Sequence, residues 1–380
     1  MCRCAANELP MITASSLRAQ PQVWQKLWRE AITDPRELLE LLDLGHLAAT
    51  LLPARDTGFS MRVPRGFAAR MRRSDPRDPL LLQVLPQAAE LGEVPGFRHD
   101  AVGDLAARAA PGVLHKYAGR ALLIATGSCA VNCRYCFRRH FPYAQETAAA
   151  NRWLEAIDHI RVDASIDEVI LSGGDPLSLA TAKLAELTAA LRGIAHVQRL
   201  RIHTRLPVVL PERVDEELQG WLRGLPWPVA IVLHANHANE IDASVAAAGA
   251  RLRNAGATLL NQSVLLRGVN DEPATLEALM RTFVELRIKP YYLHHGDLAP
   301  GTAHLRTTIE EGQALMRGLR GKVSGLCQPE YVLDIPGGHG KVPVGPSYLS
   351  HPDSSQRDRL AEGYRVVDYC GDVHSYPPSS

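Results

Sequence analysis

Three cysteines within eight residues constrain this chain more than any other feature. Cys129, Cys133 and Cys136 follow the spacing Cys-x3-Cys-x2-Cys. Three thiolates can hold three corners of a [4Fe–4S] cluster, which leaves the fourth iron open to a small molecule. An open coordination position is typical of catalysis, by the same logic that separates catalytic from structural zinc sites. The spacing therefore predicts a reactive metal centre.

A zinc site is the alternative interpretation, with His140 as the fourth ligand. Structural zinc sites usually combine two separated pairs of ligands, and no second Cys or His pair lies nearby at that spacing. A short apolar run, Arg120–Thr126, precedes the cysteines and predicts a buried strand. The cysteine loop would then leave the carboxyl end of a parallel strand, where active sites collect. We favour the iron–sulfur cluster.

Length and charge indicate a large globular enzyme. The 380 residues carry 42 basic and 41 acidic side chains, a net charge of +1, so nothing indicates a nucleic-acid or membrane surface. No signal peptide and no apolar run of bilayer length is evident, and we expect a cytoplasmic protein.

The seven cysteines are typical of a reduced set, because their number is odd and three are clustered. We interpret Cys2, Cys4, Cys327 and Cys370 as incidental free thiols.

The pattern along the chain predicts an α/β fold with three parts. Residues 1–105 are expected to form a helical amino-terminal region, with Trp24 and Trp28 at helical spacing and Asp34-Pro35 as a helix start. Residues 106–325 alternate between strand and helix, which predicts parallel strands in an incomplete, six-unit barrel. Residues 326–380 form a carboxy-terminal segment and tail. The six predicted strands lie near 121–126, 169–172, 198–203, 229–234, 258–266 and 290–295.

A glycine pair and an aspartate, Gly173, Gly174 and Asp175, follow the second of these strands. Paired glycines let backbone approach a ligand closely, and the carboxylate could accept a hydrogen bond from a ligand ammonium. Such turns are common in loops, so this motif alone is weak evidence for a ligand site. It becomes stronger evidence because the cysteine loop follows the preceding strand.

A glycine-rich loop ends in Lys341, within Asp334-Ile-Pro-Gly-Gly-His-Gly-Lys341. A phosphate-binding P-loop would need glycine at Ile335 and Ser or Thr at Val342, so that motif fails twice. A lysine on a flexible loop can instead form a Schiff base with an aldehyde cofactor. An ordinary surface lysine after a turn is the alternative.

Together these segments resemble the radical S-adenosylmethionine enzymes, and among them the lysine 2,3-aminomutases. The resemblance covers about residues 62–350. It adds four stretches to those above: 115–120, 234–240, 261–271, and Asp297 with 304–306. It implies an incomplete (β/α)6 radical SAM barrel with a helical amino-terminal extension. Residues 62–65 and 136–143 resemble the bacterial group that converts L-α-lysine to (R)-β-lysine for elongation factor P, to which a separate ligase attaches the product.

The resemblance also implies the cofactors and the role of each matching residue. The cofactors are a [4Fe–4S] cluster, S-adenosylmethionine and pyridoxal 5′-phosphate, and a one-electron reductant such as flavodoxin is needed. The cluster ligands are Cys129, Cys133 and Cys136. The contacts to S-adenosylmethionine are Gly173, Gly174, Asp175, His234 and Gln262, although the last two could equally be ordinary strand-end polar residues. The pyridoxal phosphate residues are Lys341, Tyr117 and Arg120. The substrate residues are Arg138 for the carboxylate and Asp297 with Asp334 for the distant ammonium.

Some positions depart from the fermentative lysine aminomutases. The carboxy-terminal cysteine cluster that binds zinc in those enzymes has no match, and Glu272 stands near another of their zinc cysteines. We therefore expect no zinc, and their tetrameric assembly is in doubt. His339 interrupts the glycines of the lysine loop, a small change that should leave Lys341 free to move.

Three alternatives remain open at the level of sequence. An aminomutase acting on glutamate or arginine would keep the cofactor motifs and change the distal acids, whereas Asp297 with Asp334 favours lysine. A non-radical pyridoxal enzyme would leave the cysteines unexplained. A non-enzymatic iron–sulfur or zinc module would need a fourth protein ligand and would not need the lysine loop.

Overall fold

The computed structural model describes residues 22–146, 153–350 and 364–377, so Cys2 and Cys4 lie outside the described residues. A ten-stranded sheet, in which the strands follow one another in chain order, forms the centre of the molecule. Its strands are β1 Arg108–Ala110, β2 Val113–Tyr117, β3 Arg120–Thr126, β4 Glu168–Gly173, β5 Arg199–Thr204, β6 Val229–His234, β7 Thr258–Val264, β8 Lys289–His294, β9 Glu330–Ile335 and β10 Gly340–Pro343. A separate three-stranded sheet contains β11 Leu349–Ser350, β12 Tyr364–Val367 and β13 Val373–Tyr376.

Twelve α-helices are described, of which the first four precede the large sheet and the others lie between its strands. In chain order they are α1 Val23–Arg29, α2 Pro35–Leu41, α3 Ala48–Leu51, α4 Arg65–Ala68, α5 Tyr143–Glu146, α6 Leu154–Val162, α7 Thr181–Arg192, α8 Leu206–Val209, α9 Glu216–Arg223, α10 Ala243–Asn254, α11 Pro273–Glu285 and α12 Ile309–Leu319. Side-chain caps start several of them. Asp215 accepts from the backbone of Leu218 at α9, and Asp242 accepts from that of Val245 at α10. None of the described helices is both long enough and apolar enough to cross a bilayer.

Strands β3 to β9 are parallel, and the first six of these are the six strands that the sequence predicts. The fold is therefore α/β with a large parallel sheet. Strand β9 extends that sheet beyond residue 326, and β10 pairs with it as an antiparallel hairpin. In a parallel sheet the carboxyl ends of all strands lie along one edge, so β3 to β9 bring their following loops together.

The described part of the amino-terminal region, residues 22–105, contains four short helices joined by turns. Asp34 caps α2 by accepting from the backbone of Arg36, as the sequence predicts. Trp24 and Phe67 are fully buried and belong to the same continuous apolar core as the strands. The division of the chain at residues 105 and 325 stays a prediction.

The large sheet curls so that its two ends approach each other. The Tyr117 ring on β2 lies 3.0 Å from where a Cβ would stand on Gly340 of β10. Gly103, just before β1, packs on the lysine loop, because a Cβ there would lie 2.2 Å from the Gly338 nitrogen. The first and last parts of the sheet therefore enclose the loops at its carboxyl edge.

Candidate active site

The cysteine loop follows β3 and is fastened to the turn that follows β4. The backbone of Gly174 donates to Thr126 at 2.7 Å, and that of Asp175 donates to Ser128 at 2.8 Å. Gly173 has a φ of +122°, and a Cβ there would lie 2.4 Å from the Thr126 carbonyl oxygen. Only glycine fits at that position. The glycine pair thus sets the close approach of two adjacent loops.

The three thiols are too far apart to bind one metal ion together as they stand. Around one zinc ion, Zn–S bonds place sulfur atoms about 3.8 Å apart. Among the described residues, no three potential ligands drawn from Cys129, Cys133, Cys136 and His140 lie within 4.8 Å of one another. The His140 ring instead stacks on His99 and contacts the Pro300 carbonyl. In a cubane each thiolate binds a different iron, which requires the wider spacing.

The surroundings of the thiols disfavour a free thiolate. Desolvation raises the pKa of Cys136 to about 11, and the neighbouring Cys133 adds to this. Desolvation also raises the pKa of Cys129 well above its usual value. A coordinated metal removes such protons outright. The donor set therefore fits a bound iron–sulfur cluster, which supplies the positive charge that the buried thiolates need.

Two buried arginines hold the cysteine loop from behind. Arg134 and Arg139 both pair with Glu90, and all three side chains are almost fully buried. Burial by itself favours the neutral Glu90, but hydrogen bonds and charge from both arginines outweigh it and lower its pKa. This ion triad connects the loop to the amino-terminal region.

Arg205, directly after β5, contacts the loop from the other side. Its Nη1 donates to Cys133 Sγ at 2.7 Å and to the Tyr135 hydroxyl at 2.7 Å. Its Nη2 donates to Gln83 and to Glu240. Hydrogen bonds to a cluster sulfur raise the reduction potential of the cluster, so Arg205 is placed to tune it.

Asp175 is a buried acid whose carboxylate is fully engaged. Its oxygens accept from the Thr204 hydroxyl and from the backbone of Leu177, Arg205 and Leu206. Burial raises its pKa, and these hydrogen bonds oppose the rise. The side chain therefore holds the starts of two helical turns, and protein donors already occupy its oxygens.

Three histidines stand at neighbouring strand ends. His203 is the next-to-last residue of β5, His234 ends β6 and His294 ends β8. Gln262 of β7 is the register partner of His234. Each of these histidines has a buried Nε2 without a hydrogen-bond partner within the described chain. Burial, with help from Arg205 and Arg138, lowers the pKa of His234 to about 4. The imidazoles are neutral at pH 7 and offer unused nitrogens to a ligand.

Arg138 lies in a cluster with a net positive charge. Its Nε donates to Asp104 at 2.7 Å, and its Nη1 donates to the Ser172 hydroxyl at 3.2 Å. Lys116 also pairs with Asp104, at 2.8 Å. Burial opposes the charge on Arg138, but Asp104 outweighs it and raises the pKa of the guanidinium. Two cations around one anion leave a net charge of +1, which favours a bound carboxylate.

Lys341 lies in a cluster of the opposite sign. Its Nζ pairs with Asp334 at 2.6 Å across the β9–β10 hairpin, where the two residues are register partners. His294 lies 3.8 Å from the same carboxylate, and the Tyr292 ring lies 5.9 Å from the lysine nitrogen. The glycines that precede Lys341 in its loop, Gly337, Gly338 and Gly340, all have positive φ.

Asp297 follows β8 and belongs to the same cluster. Its pKa is raised to about 7, mainly by burial and then by the nearby Asp334, while Lys341 opposes both effects. Arg306 opposes them more weakly and is itself held by His295 and by the Gly296 carbonyl. Once Asp297 is ionised, above about pH 7, two carboxylates with one lysine leave a net charge of −1, which favours a bound ammonium.

Tyr117 and Arg120 lie at the opposite end of β3 from the cysteines, but they reach the lysine loop. The Arg120 guanidinium stacks on the Tyr117 ring at 4.0 Å, and that ring packs on Gly340. Charge from Arg120 also acts on the Tyr292 hydroxyl, so its side chain lies near β8.

The two charged clusters lie close together where the curled sheet encloses its loops, since the charge of Asp104 also acts on Asp297. Charges from both Lys341 and Arg138 act on His203, after the larger effects of burial and His234. Phe137, which directly follows the last cysteine of the loop, packs on Ala101, Val102 and Ala299. The cysteine loop therefore lies beside the two charged clusters.

Comparison with known proteins identifies the family. Residues 123–279 match the radical SAM superfamily, and residues 316–365 match the family described as lysine-2,3-aminomutase. The chain is 43% identical over 323 residues to the L-lysine 2,3-aminomutase of Escherichia coli (strain K12), covering 84% of this chain and 94% of that protein. The chain belongs to the lysine 2,3-aminomutase family of radical SAM isomerases.

Two further relatives are also L-lysine 2,3-aminomutases. The L-lysine 2,3-aminomutase of Haemophilus influenzae is 41% identical and covers 85% of this chain and 96% of that protein. The L-lysine 2,3-aminomutase of Clostridium subterminale is 41% identical over 277 residues, which is 73% of this chain and 66% of that protein. The match of residues 123–279 to the superfamily begins in β3 and includes the cysteine loop. Membership of this family implies a [4Fe–4S] cluster and S-adenosylmethionine.

Several residues of this aminomutase site escaped sequence reasoning. Asp104, Arg205, Glu90, His203 and His294 carry no motif of their own in the printed sequence. His203 and His294 could have been found, because each is the last residue or nearly the last of a predicted strand. The other three depend on contacts between distant parts of the chain.

Proposed function

We propose that this chain converts L-α-lysine to (R)-β-lysine by moving the α-amino group to the β-carbon. The single observation that supports this is the pairing of two oppositely charged clusters in one enclosure. The cluster of Arg138, Lys116 and Asp104 has a net charge of +1, and that of Asp297, Asp334 and Lys341 reaches a net charge of −1 when Asp297 is ionised, above about pH 7. A lysine zwitterion carries a carboxylate at one end and an ammonium at the other, and it is complementary to both.

Pyridoxal 5′-phosphate is the third cofactor in this proposal. Its lysine would be Lys341, because the loop glycines leave room for the side chain to move and Asp334 holds the amine in place. Tyr117 and Arg120 would receive the phosphate, for which a guanidinium is well suited. Together the cofactors supply a radical able to remove an unactivated hydrogen and a conjugated carrier for the migrating nitrogen.

The residues of this chain have separate tasks in the proposal. Cys129, Cys133 and Cys136 hold the cluster. The backbone of Gly173, Gly174 and Asp175, with His234 and Gln262, binds S-adenosylmethionine beside the open iron. Arg138 orients the substrate carboxylate, since Asp104 and Ser172 fix the plane of its guanidinium. Asp297 and Asp334 receive the distal ammonium and so select the length of the substrate. The curled sheet would be the incomplete (β/α)6 barrel that encloses them.

The biological setting is also part of the proposal. The product would be attached to elongation factor P by a separate ligase, in the cytoplasm, with a one-electron donor such as flavodoxin. Support comes from the resemblance of residues 62–65 and 136–143 to the group with that role.

Anaerobic turnover tests the proposal. The reconstituted protein is incubated with dithionite, S-adenosylmethionine and L-lysine, and β-lysine is measured by chiral chromatography with mass detection. We expect (R)-β-lysine to form, and no product from a Cys133→Ser variant. Glutamate and arginine are run in parallel. Faster conversion of glutamate or arginine would show that this amino acid, and not lysine, is the substrate. Product from Cys133→Ser would refute the radical mechanism.

A further inference from the structure

A second group of metal-binding side chains lies away from the cysteine loop. His115 is on β2, His159 is on α6, and Asp163 follows the end of α6. One ligand atom of each lies within 4.8 Å of the other two, and among the described residues this is the one such group of three or more His, Cys, Asp and Glu. None of these three residues has a role in the proposed reaction.

The geometry of the elements brings the three side chains together. His159 and Asp163 are four residues apart at the end of α6, so they lie on the same side of the helix. His115 lies where the pairing of β2 with β3 is irregular, between Leu114 and Tyr117. Its Nδ1 is 3.7 Å from Asp163 Oδ2, and its ring meets the His159 ring edge to face, with 5.8 Å between the ring centres.

Two details indicate a ligand, beyond a simple His–Asp pair. Asp163 Oδ1 accepts from the backbone and the hydroxyl of Ser165, which fixes the carboxylate and leaves Oδ2 towards His115. Carboxylates that bind metals are typically held in this way by an outer hydrogen bond. His159 also has a buried Nε2 without a hydrogen-bond partner in the described chain. A His–Asp pair alone would leave that nitrogen unsatisfied.

We propose that His115, His159 and Asp163 bind a divalent transition-metal ion, with Zn²⁺ as a well-matched occupant. Two imidazoles and one carboxylate are a common ligand set for such ions. The His115 and Asp163 side chains are 18% and 34% exposed, so water can complete the coordination shell. Bonds of about 2.0–2.2 Å would draw the three ligand atoms slightly closer than they now stand. The expectation of no zinc concerned cysteine ligands, and this site uses none.

The metal would act as a structural link between two elements around the active site. Residue Lys116, next to His115, holds Asp104 against Arg138, and Tyr117 packs on the lysine loop. Helix α6 follows the segment that leaves the cysteine loop. A metal that joins β2 to α6 would therefore fix the edge of the sheet on which both charged clusters depend.

The test uses the holoenzyme, in which the cluster occupies the cysteines. The protein is dialysed anaerobically against EDTA and then titrated with Zn²⁺, and bound zinc is counted by elemental analysis alongside iron. We expect one zinc per chain in addition to the cluster iron. X-ray absorption at the zinc edge should show nitrogen and oxygen ligands only. Sulfur ligands would mean that zinc occupies a cysteine site, and they would overturn the proposal.

Matched variants locate the ion. His159→Gln and Asp163→Asn should each weaken zinc binding by about tenfold or more. His374→Gln is the control, because His374 pairs with Asp368 at 2.8 Å in the carboxy-terminal sheet, and the described residues offer it no third ligand. It should bind zinc like the unaltered protein. Equal affinity in all three variants, or no zinc bound by the unaltered holoenzyme, would refute the site. Spectroscopy of the unaltered holoenzyme decides the matter if a variant fails to fold.

Discussion

The cysteine loop and the lysine loop face the same enclosure, but they are built in opposite ways. Three buried charges, a buried arginine and a closely packed glycine pair hold the cysteine loop. The lysine loop has three glycines of positive φ, an exposed histidine and one ion pair between Lys341 and Asp334. Many contacts with neighbouring residues fix the cysteine loop, whereas few contacts hold the lysine loop.

The difference matches what each loop has to do in the proposed reaction. A cluster must keep a fixed position and an open iron, because radical chemistry requires a substrate hydrogen at a set distance. A lysine that gives up its cofactor to a substrate amine must move away and return. Rigid ion networks suit the first task, and residues with few steric limits suit the second.

The largest expected effect comes from Glu90→Gln, which removes the anion between two buried arginines. Both guanidinium groups would stay buried without a counter-charge, so the free energy of unfolding should fall by about 3–5 kcal/mol. Urea denaturation measures this, and iron content should fall with it. The matched control is Glu37→Gln, which breaks the exposed pair with Arg65 and should cost less than about 1 kcal/mol. Equal losses in the two variants would show that the triad does not hold the loop.

Gly103→Ala should disturb the lysine loop and leave the cluster intact. The added methyl group would lie 2.2 Å from the Gly338 backbone nitrogen, and such overpacking costs about 1–3 kcal/mol. Retention of pyridoxal phosphate, followed by absorbance, should fall, while iron content stays unchanged. Gly96→Ala is the control, because Gly96 also has a positive φ but has open space around it. Loss of iron in Gly103→Ala would contradict the independence of the two loops.

Asp297 should make substrate binding depend on pH. Its pKa is raised to about 7, so the carboxylate that receives the ammonium is present above that pH and lost below it. The KM for lysine should therefore fall by about tenfold between pH 6 and pH 8. Asp297→Asn should bind lysine weakly and without this dependence. The same profile in the variant would assign the titration to another group.

The thermal stability of the same variant provides a second test. An acid whose pKa is raised on folding costs stability as pH rises from its unfolded value of about 4 through 7. Asp297→Asn removes that cost, so its melting temperature should exceed that of the unaltered protein at pH 8 and match it at pH 4. A lower melting temperature at pH 8 would show that the ionised carboxylate stabilises the fold.

The strands and the cysteine loop were predictable because they depend on local patterns. Apolar runs at regular spacing indicate strands β3 to β8, and the helices between them end at glycines and prolines. The Lys341 loop was predictable from its glycines. Strand β9 was missed, although it adds a seventh parallel strand and carries Asp334. Its apolar run is only three residues long, Tyr331 to Leu333, between the charged Glu330 and Asp334.

The rest of the site depends on contacts between distant residues. Asp104 lies in a stretch without regular structure, and only the folded chain shows that it joins Lys116 to Arg138. Arg205 reaches back 72 positions to Cys133. Asp175 shows the opposite case, in which a motif identifies a residue but not its role. Its carboxylate was expected to accept from a ligand, but it already accepts hydrogen bonds from four protein donors. Sequence patterns identify which residues matter more readily than they identify the atoms that are free to act.

The smallest expected effect comes from His339→Gly, which would make the lysine loop glycine-only between Pro336 and Lys341. His339 is exposed, and its ring lies 3.3 Å from the position of a Cβ on Gly337, so it packs on its own loop. A loop that already contains three glycines of positive φ gains little further freedom from a fourth. The greater entropy of the unfolded chain should lower the free energy of unfolding by under about 1 kcal/mol. Turnover should change by less than about twofold. A tenfold change would mean that His339 restrains Lys341, and that the lysine loop is held more firmly than its few contacts indicate.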